Sequence, residues 1–208
     1  MAQTIGQIMQ MQQKQQGKSE CKKPQNLCRD MPQKVELTSM YGTSDNFLVR
    51  FNPAAQQCIT AQNTELCFFA NYPTLAKLRA GYGDKIPEIW LIPQLVDLSE
   101  YCGVKDKLNQ RQLDDLASVI AGEFFYLKVS ELLLFFRWFK AGRYGRFYGN
   151  VDPLVITTAL RDFCTERAEV IDKHERQMAS EQAKEAASKG KTMTLEEWKK
   201  KHGIEKWP

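Results

Sequence analysis

The residues with the most chemical content form one short stretch, residues 136–149, which contains no acid. Its four bases recur at every third position and are Arg137, Lys140, Arg143 and Arg146. Aromatic residues and glycines are interleaved with them, namely Trp138, Phe139, Tyr144, Phe147, Tyr148, Gly142, Gly145 and Gly149. Guanidinium and ammonium groups neutralise phosphates, and tyrosine rings stack on nucleobases. The pattern is typical of a basic, aromatic, glycine-rich loop that contacts nucleic acid.

Two interpretations of this stretch are compatible with the sequence. In the first, the glycines form a turn, the rings pack on neighbouring helices, and the bases cap carbonyls or pair with acids such as Asp114 and Asp115. In the second, the side chains bind nucleic acid, and single-stranded DNA is the form that the interleaved tyrosines favour. The second interpretation predicts six binding residues: Arg137, Lys140, Arg143, Tyr144, Arg146 and Tyr148.

Motifs for catalysis, metal binding and cofactor binding do not occur in the sequence. The glycine spacing, Gly142-x-x-Gly145-x-x-x-Gly149, matches neither the dinucleotide-binding fingerprint nor a Walker loop. The six cysteines include no C-x-x-C pair, and both histidines lie in the charged C-terminal part of the chain. We therefore predict no catalytic residue, no metal site and no cofactor, and expect that the protein is not an enzyme.

The C-terminal segment, Thr194 to Trp207, supplies an alternative function. Thr194 and Glu197 match a capping box, and three apolar residues follow as candidate anchors: Trp198, Ile204 and Trp207. Such anchors could dock in the groove of a protein partner, which would make the chain an interaction adaptor without a nucleic-acid role. The same residues could instead fold back on their own domain.

Composition places the chain among globular proteins of the cytoplasm. Its 208 residues carry a net charge of +4, and 43% hydrophobic residues suffice for a packed core. The densest apolar run, Leu132 to Phe136, is far shorter than the roughly 20 residues of a membrane span. The scattered cysteines are typical of reduced thiols, and we expect no membrane association.

Hydrophobic periodicity predicts a mainly α fold with one compact helical domain over residues 35–171. A Gln-rich, basic segment, residues 1–34, reads as a flexible leader, and residues 172–208 as a charged helical arm with a short terminal helix. Alternating apolar residues over 35–51 indicate a small β-hairpin. Capping signals begin helices at Asn52-Pro53, at Asn109 with Gln112, and at Asp152-Pro153. The apolar helix 131–141 should be the central, most buried element.

The stretch from Tyr72 to Arg167 resembles an uncharacterised helical family from phages and conjugative elements of gut bacteria. Seven short motifs carry the resemblance: Tyr72-Pro73, Tyr82-Gly83, Trp90-Leu91, Glu131 to Phe136, Phe139-Lys140, Gly142-x-Tyr144-Gly145-x-Phe147-Tyr148-Gly149, and Asp152-Pro153. It implies a mobile-element setting. The all-α architecture with basic patches is also similar to phage replication accessory proteins such as helicase loaders. We thus expect a non-enzymatic, nucleic-acid-binding accessory protein in replication or transfer, with a protein of that machinery as a second partner.

Overall fold

The computed structural model describes residues 31–189 and residue 201, and this part of the chain is mainly helical, as predicted. Two short 3₁₀-helices, Pro53–Cys58 and Ala61–Asn63, precede the third α-helix. The described α-helices are α1 (Met31–Tyr41), α2 (Ser44–Arg50), α3 (Thr64–Phe69), α4 (Leu75–Tyr82), α5 (Ile86–Tyr101), α6 (Gln110–Glu123), α7 (Val129–Lys140) and α8 (Pro153–Lys189).

The chain divides into two units, one ending at Arg161 and one beginning at Asp162. In the first unit, α1 packs on α4, while α5 packs on both α4 and α6. The second unit contains the rest of α8, whose described side chains are exposed from residue 179 to residue 186. The predicted leader, residues 1–34, lies outside the described residues except for its last four, which are helical.

Helix α7 is the core of the first unit, because it is apolar on nearly every face. Residues 132–136 and Phe139 are buried, and the helix packs on α3, on α5 and on the first 3₁₀-helix. This confirms the prediction that the apolar segment is the most buried element. An all-round apolar helix is stable only where neighbouring elements cover it on several sides.

The predicted β-hairpin over residues 35–51 is wrong, because α1 and α2 occupy this segment. Gly42, with a φ of 76°, ends α1, and the Thr43 side chain caps α2 by accepting a hydrogen bond from the Asn46 N–H at 3.3 Å. Phe47 and Phe51 are four residues apart, a spacing that suits both a strand and a helix. Val49 decides between them: a strand would place it beside these buried rings, but it is 71% exposed, as a helix requires.

The capping signals located several helix starts. Asn52 caps the first 3₁₀-helix, Asn109 and Gln112 form the capping box of α6, and Asp152 accepts the Leu154 N–H at 2.8 Å at the start of α8. Helix α5 continues through Pro93 without being split. Gly81 lies inside α4 against Leu37, and Gly83, with a φ of 120°, ends the helix.

Candidate nucleic-acid interface

The basic loop, residues 141–151, begins with a tight turn at the C-terminal end of α7. The Ala141 N–H donates to the Arg137 carbonyl at 3.1 Å, which closes the last helical turn. Gly142 then adopts a φ of 83°, which an L side chain disfavours, and the Arg143 N–H donates to the Trp138 carbonyl at 3.2 Å. The turn therefore directs the chain back along the helix that it has just left.

Two aromatic rings anchor the basic loop to α7. Phe147 stacks on Phe139, with ring centroids 5.4 Å apart and an interplanar angle of 21°, and Tyr144 packs on Phe135 at 5.6 Å. Both anchoring side chains are half-buried. Tyr148, by contrast, is 85% exposed. Of the two tyrosines predicted to contact bases, Tyr148 faces solvent and Tyr144 packs against the protein.

The four bases, equivalent in the sequence, differ in the structure. Arg137 and Arg146 are exposed and form no ion pair with any residue described. Lys140 pairs with Asp97 of α5, and its side chain is only 12% exposed, with the ammonium 5.4 Å from the Tyr101 ring centroid. A cation at the last turn of a helix is also favoured by the helix dipole. Lys140 thus fastens α7 to α5, whereas Arg137 and Arg146 face solvent.

Arg143 of the basic loop lies on an aromatic ring of α7, the helix that precedes the loop. Its Cζ atom is 3.9 Å from the Trp138 ring centroid, a close cation–π contact, and the residue as a whole is exposed. Trp138 is half-buried and its ring centroid is 6.3 Å from that of Phe68 in α3. The Trp138 ring is thus held by α3 and α7, and Arg143 covers part of it.

Two further cations lie next to the basic loop, and sequence reasoning missed them. The Asp106 N–H donates to the Gly149 carbonyl at 3.4 Å, and the Val151 N–H donates to the Asp106 carbonyl at 2.9 Å. This isolated bridge brings the exposed neighbours of Asp106, Lys105 and Lys107, to the end of the basic loop. No signal in the sequence links the two segments, because they are more than 40 residues apart and form only one bridge.

The acids that the first interpretation assigned to the bases interact within their own helix. The Gln110 amide donates to Asp114 at 3.0 Å, and Arg111 approaches Asp115 at 3.7 Å. Tyr144, Phe147 and Lys140 thus contribute to packing, while other cations and Tyr148 of this region are exposed. We call these exposed groups the basic surface; it comprises Arg137, Arg143, Arg146, Tyr148, Lys105 and Lys107.

Two pockets lie elsewhere on the first unit, with volumes of about 360 and 370 Å³. The first is lined by Phe51, Trp90 and Pro93, with the Asp97 and Glu100 carboxyl groups beside them. The second lies between α6 and the start of α8. Within the described residues, no group of three or more His, Cys, Asp or Glu side chains is arranged to hold a metal ion.

Two other predictions concern regions or properties outside this surface. The candidate partner-binding residues Trp198, Ile204 and Trp207 lie outside the described part of the chain. Among the helices that are described, none combines the length and apolar character that crossing a membrane would need.

Comparison with known proteins adds a family without an assigned activity. Neither a curated protein nor a solved structure matches the chain. The part of the chain from α6 onwards, with the whole basic loop, lies inside a segment that a family model recognises. Residues 107–206 match the model of a family of unknown function (DUF6633), in agreement with the expected resemblance to an uncharacterised family.

Proposed function

We propose that the protein is a non-enzymatic accessory protein that binds nucleic acid through the basic surface. The observation that carries the proposal is the orientation of the basic loop: Tyr144 and Phe147 hold it on α7, and this leaves Arg146 and Tyr148 exposed. Arg137 and Arg146 have no acidic partner among the described residues, so no local ion pair must be broken before they attract a phosphate.

The fixed conformation of the basic loop supports the proposed contact with nucleic acid. Binding costs less when the contacting side chains need not be fixed during association. Gly142, Gly145 and Gly149 all adopt positive φ, and the ring contacts fix the segments between them. Phosphate contacts position a nucleic acid without reading its sequence, so we expect binding without strong sequence preference.

The biological setting that we propose is replication or transfer of a mobile element. It rests on the resemblance of residues 72–167 to the uncharacterised helical family of phages and conjugative elements. A protein of that machinery is the second partner we propose.

The test is fluorescence anisotropy with a labelled single-stranded DNA of about 20 nucleotides, titrated at several salt concentrations. The triple variant Arg137→Gln, Arg143→Gln, Arg146→Gln removes three phosphate contacts. On single strands, each phosphate contact contributes about −0.7 to the slope of log K against log salt concentration. The variant should therefore bind about 100-fold more weakly near 0.1 M salt, and its slope should be less steep by about 2.

The matched control removes three charges from α8 instead, with Lys173→Gln, Arg176→Gln and Lys184→Gln, all at exposed positions. This control should bind almost as tightly as the unmodified protein. If the folded loop variant and the control lose equal affinity, the site is misassigned and only net charge matters. If the unmodified protein shows no salt-dependent binding, the proposed function is wrong.

A further inference from the structure

We propose that the pocket lined by Phe51, Trp90 and Pro93, which we call the acidic pocket, binds a segment of the same chain, residues 1–23. This contact is independent of nucleic-acid binding. The acidic pocket lies between α5 on one side and the end of α2 with the first 3₁₀-helix on the other. Its volume of about 360 Å³ is within the range of pockets that bind organic ligands, so it can accept apolar side chains.

The floor of the acidic pocket is apolar and fixed. Phe51 and Trp90 are buried, and the Trp90 indole N–H donates to the Phe51 carbonyl at 2.7 Å. The Gln94 amide donates to the same carbonyl at 3.0 Å, so α5 holds the residue that follows α2 in place. Leu48 and Val96, which are half-buried, complete the apolar lining. A preformed apolar pocket favours apolar side chains, because binding removes their surface from water at little cost in ordering the protein.

The rim of the acidic pocket carries carboxylates. Asp97 and Glu100 line it, and no basic side chain among the described residues does. They are three residues apart on α5, so they lie on the same face of that helix. Lys140 pairs with Asp97, whereas Glu100 is exposed and forms no ion pair within the described part of the chain. A ligand with a cation next to its apolar groups would therefore match both the floor and the rim.

Residues 1–23 combine these two kinds of group. Four apolar residues come first and four lysines follow: Ile5, Ile8, Met9 and Met11, then Lys14, Lys18, Lys22 and Lys23. Methionine side chains adapt to irregular apolar surfaces, and a lysine ammonium pairs with an exposed carboxylate. We expect the apolar residues to occupy the floor and to supply most of the affinity, while a lysine at Glu100 sets their position.

The connection to α1 is long enough for this contact. Helix α1 begins at Met31, and its 11 residues are about 16 Å long. At its other end, the Tyr41 ring centroid is 5.6 Å from that of Phe51, so the start of α1 is within about 30 Å of the acidic pocket. The 30 residues before Met31 can span up to about 100 Å. Their covalent attachment makes the contact intramolecular, which raises the effective concentration of the segment.

Cross-linking of the full chain with a water-soluble carbodiimide tests the inference, because this reagent joins a lysine directly to a carboxylate that it contacts. Glu65, an exposed glutamate of α3, is the matched acceptor away from the acidic pocket. Peptide mass spectrometry measures the yield of amide bonds between the lysines of residues 1–23 and each glutamate. At low micromolar protein concentration, we expect the yield at Glu100 to exceed that at Glu65 by about tenfold or more.

Substitutions within the segment separate specific docking from chance contact. Ile5→Ser with Ile8→Ser removes apolar groups and keeps every lysine, and it should lower the yield at Glu100 by about tenfold. The matched control, Gln7→Ser with Gln10→Ser, should leave the yield unchanged.

A substitution in the acidic pocket tests the other side of the contact. Ala54 lines the pocket at an exposed position, so Ala54→Trp should fill part of the space and lower the yield at Glu100 without unfolding the protein. Thermal melting checks that this variant folds, and the substitutions in residues 1–23 test the same contact without altering the pocket.

Isotope mixing determines whether the contact forms within one chain. Cross-linking a mixture of nitrogen-15-labelled and unlabelled protein should give peptide pairs of a single isotope, which would support the inference. Pairs of mixed isotope would assign the site to the segment of a second copy and overturn it. Equal yields at Glu100 and Glu65, or a yield that the isoleucine substitutions leave unchanged, would overturn it as well. None of these outcomes affects the proposed binding of nucleic acid.

Discussion

The two ends of α7 use charged residues in opposite ways. At the N-terminal end, the Lys128 ammonium donates to the Phe68 and Ala70 carbonyls at 2.6 and 3.0 Å, and so caps the end of α3. The fully buried Glu131 accepts the Lys128 N–H at 2.8 Å, and the Ser130 hydroxyl donates to the Cys67 carbonyl at 2.7 Å. At the C-terminal end, Arg137 and Arg146 face solvent.

The difference shows that residue type does not determine whether a charge stabilises the fold or is available to a ligand. A buried carbonyl without a donor is costly, so Lys128 is held where α3 ends. No comparable need exists beyond Ala141, where the backbone satisfies its own hydrogen bonds through the glycine turn. We expect substitutions at the first end to change stability, and those at the second to change binding.

The largest effect should come from Lys128→Met, which retains the apolar stem and removes both charge-assisted hydrogen bonds. We expect it to lower the free energy of unfolding by about 3 kcal/mol, measured by urea denaturation. The comparison variant Arg137→Met, at the other end of the same helix, should change stability by no more than about 0.5 kcal/mol. Equal effects of the two variants would remove the distinction between the ends.

The buried environment at the N-terminal end of α7 should also lower the reactivity of the Cys67 thiol toward alkylating reagents. Burial, with the Glu131 carboxylate as the second cause, raises the pKa of Cys67 to about 11. At pH 8 the folded protein should hold about 100-fold less Cys67 thiolate than a thiol at the ordinary pKa of 9.0. Because a thiolate of higher pKa is also more nucleophilic, alkylation by iodoacetamide, followed by peptide mass spectrometry, should be about tenfold or more slower at Cys67 in the folded than in the urea-unfolded chain.

The same raised pKa has a consequence for stability. The unfolded chain releases the Cys67 proton from about pH 9, while the folded chain keeps it until about pH 11. The contribution of the protonated thiol to the free energy of unfolding is therefore complete below about pH 9 and declines between about pH 9 and pH 11. The exposed Cys58 is the internal control for labelling. Comparable rates at Cys58 and Cys67 in the folded protein would contradict the burial of this thiol.

Lys140 is the exception at the C-terminal end and tests the comparison there. Because its side chain is nearly buried against Asp97, Lys140→Gln should cost about 1–2 kcal/mol in urea denaturation. Arg146→Gln should leave stability unchanged and weaken DNA binding by about fivefold near 0.1 M salt. If Lys140→Gln weakens binding as strongly without loss of stability, Lys140 belongs to the basic surface.

The smallest effect concerns the backbone of the basic loop. Gly145 has a φ of 98° and open space around it, so Gly145→Ala should cost about 1 kcal/mol through backbone strain alone. Gly122, within α6 and equally free of close neighbours, is the matched control. Gly122→Ala should instead raise stability by about 0.5 kcal/mol. Thermal denaturation measures the stability of both variants. Changes of the same sign would contradict the assigned loop conformation.

Local patterns predicted much of the helical framework. The capping box of Asn109 and Gln112 and the cap at Asp152 depend only on residues within one turn of each other, so short sequence windows contain the information. The same local logic failed at residues 35–51, because a spacing of four between apolar residues is common to strands and helices. Ser130, the second residue of α7, does not cap that helix; its hydroxyl donates to the Cys67 carbonyl in α3 instead.

The sequence by itself determined that bases, rings and glycines alternate after the most apolar helix, and that this helix would be buried. Only the tertiary structure decided that Arg137 faces solvent while Lys140, three residues later, pairs with Asp97, or that Lys105 and Lys107 lie near Gly149. The physical reason is that a charge is exposed or engaged according to groups that reach it from distant segments. Asp97 is 43 residues from Lys140, and no local spacing encodes that contact.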